Sequence, residues 1–247
     1  KRGEALVSRM ISEAGLDTGG YAIILPMSSC EPDSSVFYAK KQFTAQNISN
    51  VFGLQFEKGS IPDPVRLDSI RNAKLIYISG GDQNRFMETV KGTEIEKAIS
   101  EAYKSGVLIA GTSAGAAVMS KMMITGNELK HPEYSSTFRN IQANNIELKQ
   151  GLGFVENAII DQHFVKRSRH NRLISAIAEH PEILGIGIDE STAILVDKDT
   201  AEVVGVSQVL VFKNTNPKID TSENGLLGTK GIVLDIYLPG EKFPLKK

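Results

Sequence analysis

Hydrophobic and polar positions along the chain follow two periods. Leu6, Val7, Met10, Ile11 and Ala14 recur at helical spacing, and Gly15 marks a stop. Residues 21–26 (YAIILP) are a short apolar run of the β type. A helix capped by Asp33 and reaching to about Asn50 follows, then a strand over 51–56. Residues 67–72 read as helix and 74–79 (KLIYIS) as a buried strand. Residues 94–104 form a helix ended by Gly106, and 107–110 (VLIA) a strand. Residues 169–179 are helical, with Leu173, Ile174, Ile177 and Ala178 inward and Pro181 just beyond. Strands alternating with helices of ten or so residues predict βαβ units. From Leu184 onward the pattern changes to short β runs separated by turn residues such as DKDT and NTNP. These predict antiparallel strands at one sheet edge or a small second sheet. The fold class is therefore α/β: three layers, a mostly parallel central sheet flanked by helices, and extra antiparallel strands toward the C-terminus. No repeat, low-complexity tract or Pro/Ser-rich linker is visible, so residues 1–247 read as a single domain.

Composition narrows the function. The apolar fraction of 41% supports a sizeable core. A net charge of -1 lacks the electrostatic footprint of a nucleic-acid binder. One cysteine excludes an internal disulfide framework and a multi-thiolate metal site; no metal and no cofactor are expected. No apolar run approaches the ~18–20 residues that span a bilayer. Residues 1–10 (KRGEALVSRM) lack a secretory apolar core. With one free cysteine the default compartment is the cytoplasm, an exported form remaining open.

Chemistry concentrates in four segments. Gly111-Thr-Ser113-Ala-Gly115 matches G-x-S-x-G between an apolar strand and a small-residue helix start, the context this motif requires. A strand turning at once into a helix strains the turn residue, and the flanking glycines let the two elements pass closely. The Ser113 hydroxyl then projects at the carboxyl edge of the sheet, and the Ala114 N–H faces a developing oxyanion. Ser113 needs a base. Of four histidines, His131, His170 and His180 lie in polar surroundings, whereas His163 ends the apolar run AIIDQ. In open α/β sheets that edge carries the site. Asp161, Asp189 and Glu190 are the candidate orienting acids; alternation along GIGIDE does not choose between the last two. The Gly80-Gly81 pair after KLIYIS offers a second oxyanion donor. Arg167, Arg169 and Arg172 are spaced to clamp a substrate carboxylate, or else to form a solvated helix face.

Together SGGDQ, GTSAGAAVMS, IIDQHF-x-x-R-x-R-x-x-R-L and GIGIDE-x-T-A resemble the cyanophycinase family, serine peptidases with a fold like that of class I glutamine amidotransferases. The loop PMSSCEP is similar to the family's loop after an early strand. The resemblance implies Ser113 as nucleophile, His163 as base, Glu190 as orienting acid, and Gly81 and Ala114 as oxyanion donors. It implies that Gln83, Asp161, Gln162, Arg167, Arg169 and Arg172 line a substrate pocket. The implied reaction is hydrolysis of multi-L-arginyl-poly-L-aspartate, a polymer rich in Asp and Arg, to β-Asp-Arg dipeptides by a homodimer. The alternatives are an aspartyl dipeptidase acting on short peptides and a non-catalytic binding homologue. Glutamine amidotransferase relatives use a cysteine nucleophile, and Cys30 lies outside the elbow. The family opens with a strand and a Gly-rich loop ahead of its first helix. This chain begins at that helix, so the resemblance implies a further strand upstream of residue 1.

Overall fold

The computed structural model describes residues 3–133, 135 and 137–246, so residues 1 and 2 of the opening segment lie outside it. The chain forms two compact units, Gly3–Val118 and Met119–Lys247.

The first unit is built from βα repeats. Helix α1 (Glu4–Ala14) ends at Gly15 in the left-handed conformation. Strand β1 (Ala22–Leu25) follows, then α2 (Pro32–Thr44), β2 (Val51–Gly53), α3 (Pro64–Arg71) and β3 (Leu75–Ile78). Helices α4 (Gln83–Val90) and α5 (Glu94–Lys104), strand β4 (Leu108–Gly111) and the single turn α6 (Ala114–Ala117) complete it. The strands pair in parallel in the order β2-β1-β3-β4. Every residue of β1 is buried, as expected of a parallel strand covered on both faces. Val7 and Ile11 of α1 and Phe43 of α2 bury against Ala22, Ile24 and Leu75; a side chain of this kind contributes roughly 1.5–3 kcal/mol on burial. Asp63, Asp82 and Thr93 cap α3, α4 and α5 through their side chains.

The second unit opens with the hairpin β5 (Met122–Glu128) and β6 (Ile146–Gln150). Strand β7 (Ala158–Gln162), helix α7 (His170–Glu179) and β8 (Leu184–Ile188) form a parallel βαβ unit. Strands β9 (Thr192–Asp197) and β10 (Thr200–Gly205) follow, then β11 (Val209–Asn214), β12 (Ile219–Thr221), β13 (Leu227–Thr229), β14 (Ile232–Tyr237) and β15 (Lys242–Pro244). Strands β11 and β14 extend the β7-β8 pair in antiparallel fashion, and β15-β10-β9 form a small separate sheet. Both C-terminal arrangements foreseen from the sequence therefore occur. Leu173, Ala176 and Ile177 of α7 pack on Ile159, Phe164, Leu210 and Phe212. The Gly-Ile alternation of β8 has a steric cause: a Cβ on Gly187 would lie 2.3 Å from the Phe164 ring, and one on Gly185 would lie 2.9 Å from Ile177.

Candidate active site

In the first unit, parallel register sets Leu25 beside Ile78 and Ile78 beside Gly111, so the loops leaving β1, β3 and β4 emerge side by side. Ser113 sits at the β4-to-α6 turn with φ 52° and ψ -113°. Such backbone strain in a non-glycine residue costs about 1–3 kcal/mol and is held by its surroundings. The two glycines of the motif are each demanded by contact. A Cβ on Gly111 would meet the Gly115 carbonyl oxygen at 2.1 Å, and one on Gly115 would meet the Ile78 oxygen at 2.3 Å. Strand β4 thus lies on α6, and α6 lies on β3, with no room for a methyl group.

The Gly80-Gly81 loop borders this turn. The built Cβ position of Gly80 is 3.3 Å from Ser113 Cβ. Gly81 has φ 137°, and its Cβ would overlap the Ser28 carbonyl oxygen at 2.2 Å. The Asp82 N–H donates to that same oxygen at 2.9 Å, tying the loop to the one after β1. Among the described residues, neither the Gly81 nor the Ala114 N–H donates to a backbone carbonyl. Gln83, the first residue of α4, is buried. Burial pushes the Tyr77 phenol pKa up, and the neighbouring Thr112 side chain opposes the rise.

In the second unit, His163 follows β7 directly and takes φ 52°. Its Nδ1 lies 3.3 Å from Glu190 Oε1. Nδ1–H donating to Glu190 leaves Nε2 as an acceptor. Asp189 is engaged elsewhere: it accepts the Lys166 N–H at 3.0 Å and the Ser207 hydroxyl at 3.1 Å. The loop turns Glu190, and not Asp189, to the imidazole. Burial, and then the Arg167 charge, hold the His163 pKa below its usual value; the hydrogen bond to Glu190 opposes them, and Arg169 adds to the lowering.

The arginines divide. Arg167 is exposed, whereas Arg169 and Arg172 are buried. The solvated helix face is thus corrected for the latter two: Arg169 is the N-cap of α7, and Arg172 lies in its first turn, facing β7. Arg172 grips Asp161 through two nitrogens, Nε to Oδ2 at 2.6 Å and Nη2 to Oδ1. Arg169 Nη1 donates to the Gln162 main-chain oxygen at 2.7 Å and to its side-chain Oε1. Asp161 and Gln162 are buried with them. The remaining histidines lie elsewhere: His131 Nε2 meets Gln142 at 2.8 Å, His170 packs on Phe164, and His180 faces Glu182. Among the described residues no group of three or more His, Cys, Asp or Glu could hold a metal ion, and no helix is long and apolar enough to cross a membrane. Ser113, Gly81, Ala114 and Gln83 belong to the first unit; His163, Glu190, Asp161, Gln162 and the three arginines belong to the second.

Residues 25–204 match the model of peptidase family S51, a stretch containing all of these positions. The cyanophycinase of Trichormus variabilis (strain ATCC 29413 / PCC 7937) is 35% identical over 178 residues, which cover 69% of this chain and 56% of that protein. The cyanophycinase of Synechococcus elongatus is 31% identical over 216 residues, 85% of this chain and 63% of that one. Peptidase E of Escherichia coli O1:K1 / APEC is 27% identical over 154 residues, covering 62% and 64%. The chain thus spans between half and two thirds of the length of these relatives. The crystal structure of a peptidase from an acI-B1 Actinobacterium matches with a TM-score of 0.67 at 22% identity, covering 97% of this chain and 91% of that one. That likeness concerns the fold.

Proposed function

The chain belongs to peptidase family S51, and from that premise we propose a serine-type peptidase that hydrolyses cyanophycin, or a similar aspartyl polymer, to β-Asp-Arg dipeptides. The observation that carries this reading is the strained Ser113 backbone in a turn where neither flanking glycine tolerates a methyl group. Strained residues of this kind cluster at active sites, where the surroundings hold them in place. In the proposed reaction His163 Nε2 takes the Ser113 proton as Oγ bonds to an aspartyl peptide carbonyl. The Gly81 and Ala114 N–H groups hold the resulting oxyanion; removing one such donor typically costs about 10²–10³-fold in kcat. The imidazolium, supported by Glu190, protonates the leaving amine as the C–N bond breaks. Water then attacks the acyl-enzyme, passing its proton to His163, and the ester C–O bond breaks with that proton returned to Ser113. Gln83 and Arg167 are assigned to the substrate, Arg167 to a carboxylate. No cofactor is needed. A homodimer and a cytoplasmic setting belong to the same proposal.

The test is turnover of insoluble cyanophycin with products identified by mass spectrometry. Wild-type protein releases β-Asp-Arg, and Ser113→Ala loses at least about 10³-fold of that activity. A Ser113→Ala protein that keeps full activity refutes the assignment. A second reading, an aspartyl dipeptidase acting on short peptides, is favoured by the burial of Arg169 and Arg172. Arg167 alone of the three is exposed, which leaves one guanidinium open to a single substrate carboxylate. Preference for Asp-X dipeptides over the polymer selects that reading.

A further inference from the structure

The buried cluster beneath His163 has a direction. Arg172 and Asp161 are 2% and 1% exposed and doubly hydrogen-bonded to one another. Arg169, 4% exposed, stands 3.7 Å from the same carboxylate. An apolar pair of equal volume would pack as stably as such a buried ion pair. What charged, forked hydrogen bonds add is geometric restraint.

The restrained atom is informative. Arg169 Nη1 donates to the main-chain oxygen of Gln162 at 2.7 Å. That oxygen belongs to the peptide joining Gln162 to His163, and rotation about φ of His163 swings this peptide. Holding its oxygen therefore holds φ. His163 occupies the left-handed region at φ 52°, which few non-glycine residues adopt. The far side is held too. The Arg167 N–H donates to the His163 carbonyl at 2.9 Å, and Phe164, fully buried, fills the space left by Gly187.

We propose that Arg169 is a positioning residue for the general base, fixing the Gln162–His163 peptide so that the imidazole is presented to the nucleophile, with Asp161 and Arg172 as its anchor. The inference rests on His163 acting as base in the proposed function. It assigns the Asp161–Gln162–Arg169–Arg172 group to the geometry of the enzyme and not to substrate contact. A guanidinium at 4% exposure that is already joined to a main-chain carbonyl is poorly placed to receive a substrate carboxylate. Arg169 also acts on the imidazole electrostatically. The charged groups facing His163 are Arg167 and Arg169 from the segment that follows it and Glu190 from beyond β8.

The experiment uses the full chain with Arg169→Gln and Arg169→Lys. One readout needs no turnover: NMR titration of the His163 imidazole, assigned by the loss of its signal in His163→Gln. The others are the rate of Ser113 labelling by a fluorophosphonate and the split between kcat and KM on Asp-X dipeptides or cyanophycin. In Arg169→Gln the imidazole titrates at higher pH, labelling slows about 100-fold, the scale of a 1 Å misplacement, and KM changes less than about twofold. Arg169→Lys keeps the charge and loses the fork, so its titration stays near wild type while labelling still slows by about tenfold or more. If Arg169→Gln does not fold, the lysine variant decides by its KM and labelling rate. A tenfold rise in KM at unchanged kcat in either variant marks a substrate contact and overturns the proposal, as do unchanged titration and labelling in Arg169→Gln. A wild-type protein that hydrolyses no aspartyl peptide defeats the proposed function, a result separate from the imidazole titration.

Discussion

Replacing Gly111 by alanine isolates geometry from chemistry at the elbow. Gly111 carries no functional group, and its φ lies outside the left-handed region, so alanine meets no conformational penalty there. By the unfolded-state effect alone the substitution would stabilise by about 0.4–1 kcal/mol. The added Cβ, however, would stand 2.1 Å from the Gly115 oxygen, 2.3 Å from the Gly115 carbon and 2.9 Å from the Ala116 nitrogen. A relaxed C···O contact is about 3.3 Å or more, so β4 and α6 must separate by roughly 1.2 Å. All three obstructing atoms are backbone, so no side-chain rotation relieves the overlap. Overpacking of this kind costs about 1–3 kcal/mol, and at 2–4 °C per kcal/mol for a chain of this size Tm falls by roughly 2–12 °C. The separation also moves the Ala114 N–H and Ser113 Oγ relative to each other, for which a rate loss of about 100-fold is expected. Fluorophosphonate labelling of Ser113 and a thermal scan on the same sample check both numbers. A Gly111→Ala protein labelled at the wild-type rate, with unchanged or raised Tm, refutes the contact argument.

Four further outcomes follow from the second unit. The His163 pKa is held down, so kcat/KM falls as pH drops through a value below 6.5; Arg167→Gln removes one cause, and its acid limb moves to higher pH in a pH–rate profile. The same depression means that His163 adds no acid-linked stability: the fold is fully stable above the unfolded imidazole's pKa and is weakened as pH falls toward the lowered one, visible as a Tm decline over that window. Asp161→Leu strands the Arg172 charge at 2% exposure and costs about 3–5 kcal/mol in urea unfolding, whereas Asp161→Leu with Arg172→Met restores most of it; a mild single variant would show the pair to be solvated. Glu190→Gln slows turnover by about 10²-fold, the low end for acid–base assistance, because the carboxylate is 46% exposed and 3.3 Å from Nδ1; a change under twofold removes Glu190 from the mechanism.

Legibility in the sequence followed the range of the forces involved. Helix α5 was readable to its end residues because Thr93 caps it and Gly106 follows it, both local signals. Helix α2 stops at Thr44, short of Asn50, because Asn47 takes a positive φ in a turn that lacks glycine. Strand β2 stops at Gly53 and not at residue 56, where a Cβ on Gly53 would overlap Val36. Helix α4 was missed because its cap, Asp82, sits inside a segment that reads as a loop motif. The β5-β6 hairpin was missed because a long polar stretch separates its strands, leaving no short-turn signal. The elbow was readable because Gly111 and Gly115 meet each other within one βα step, although the second contact of Gly115, with Ile78 of β3, is not local. The Arg–Asp cluster was not, because nothing in a run of spaced arginines says that β7 carries an inward-facing carboxylate beneath the first turn of α7.

The adjacent carboxylates after β8 show how register and side-chain length together finish the site. Parallel pairing sets Gln162 opposite Ile188. The next residues on each chain are His163 and Asp189, so the register alone would offer Asp189 to the imidazole. Asp189 is too short to serve both the ring and the backbone, and short carboxylates favour nearby N–H groups. It takes the Lys166 N–H and the Ser207 hydroxyl, which ties the segment after His163 to the one entering β11. Glu190, one residue farther along and one methylene longer, reaches back to Nδ1. One carboxylate therefore holds the loop in place while the next addresses the imidazole. This division accounts for an Asp-Glu pair at a strand end where alternation would point only one of them inward.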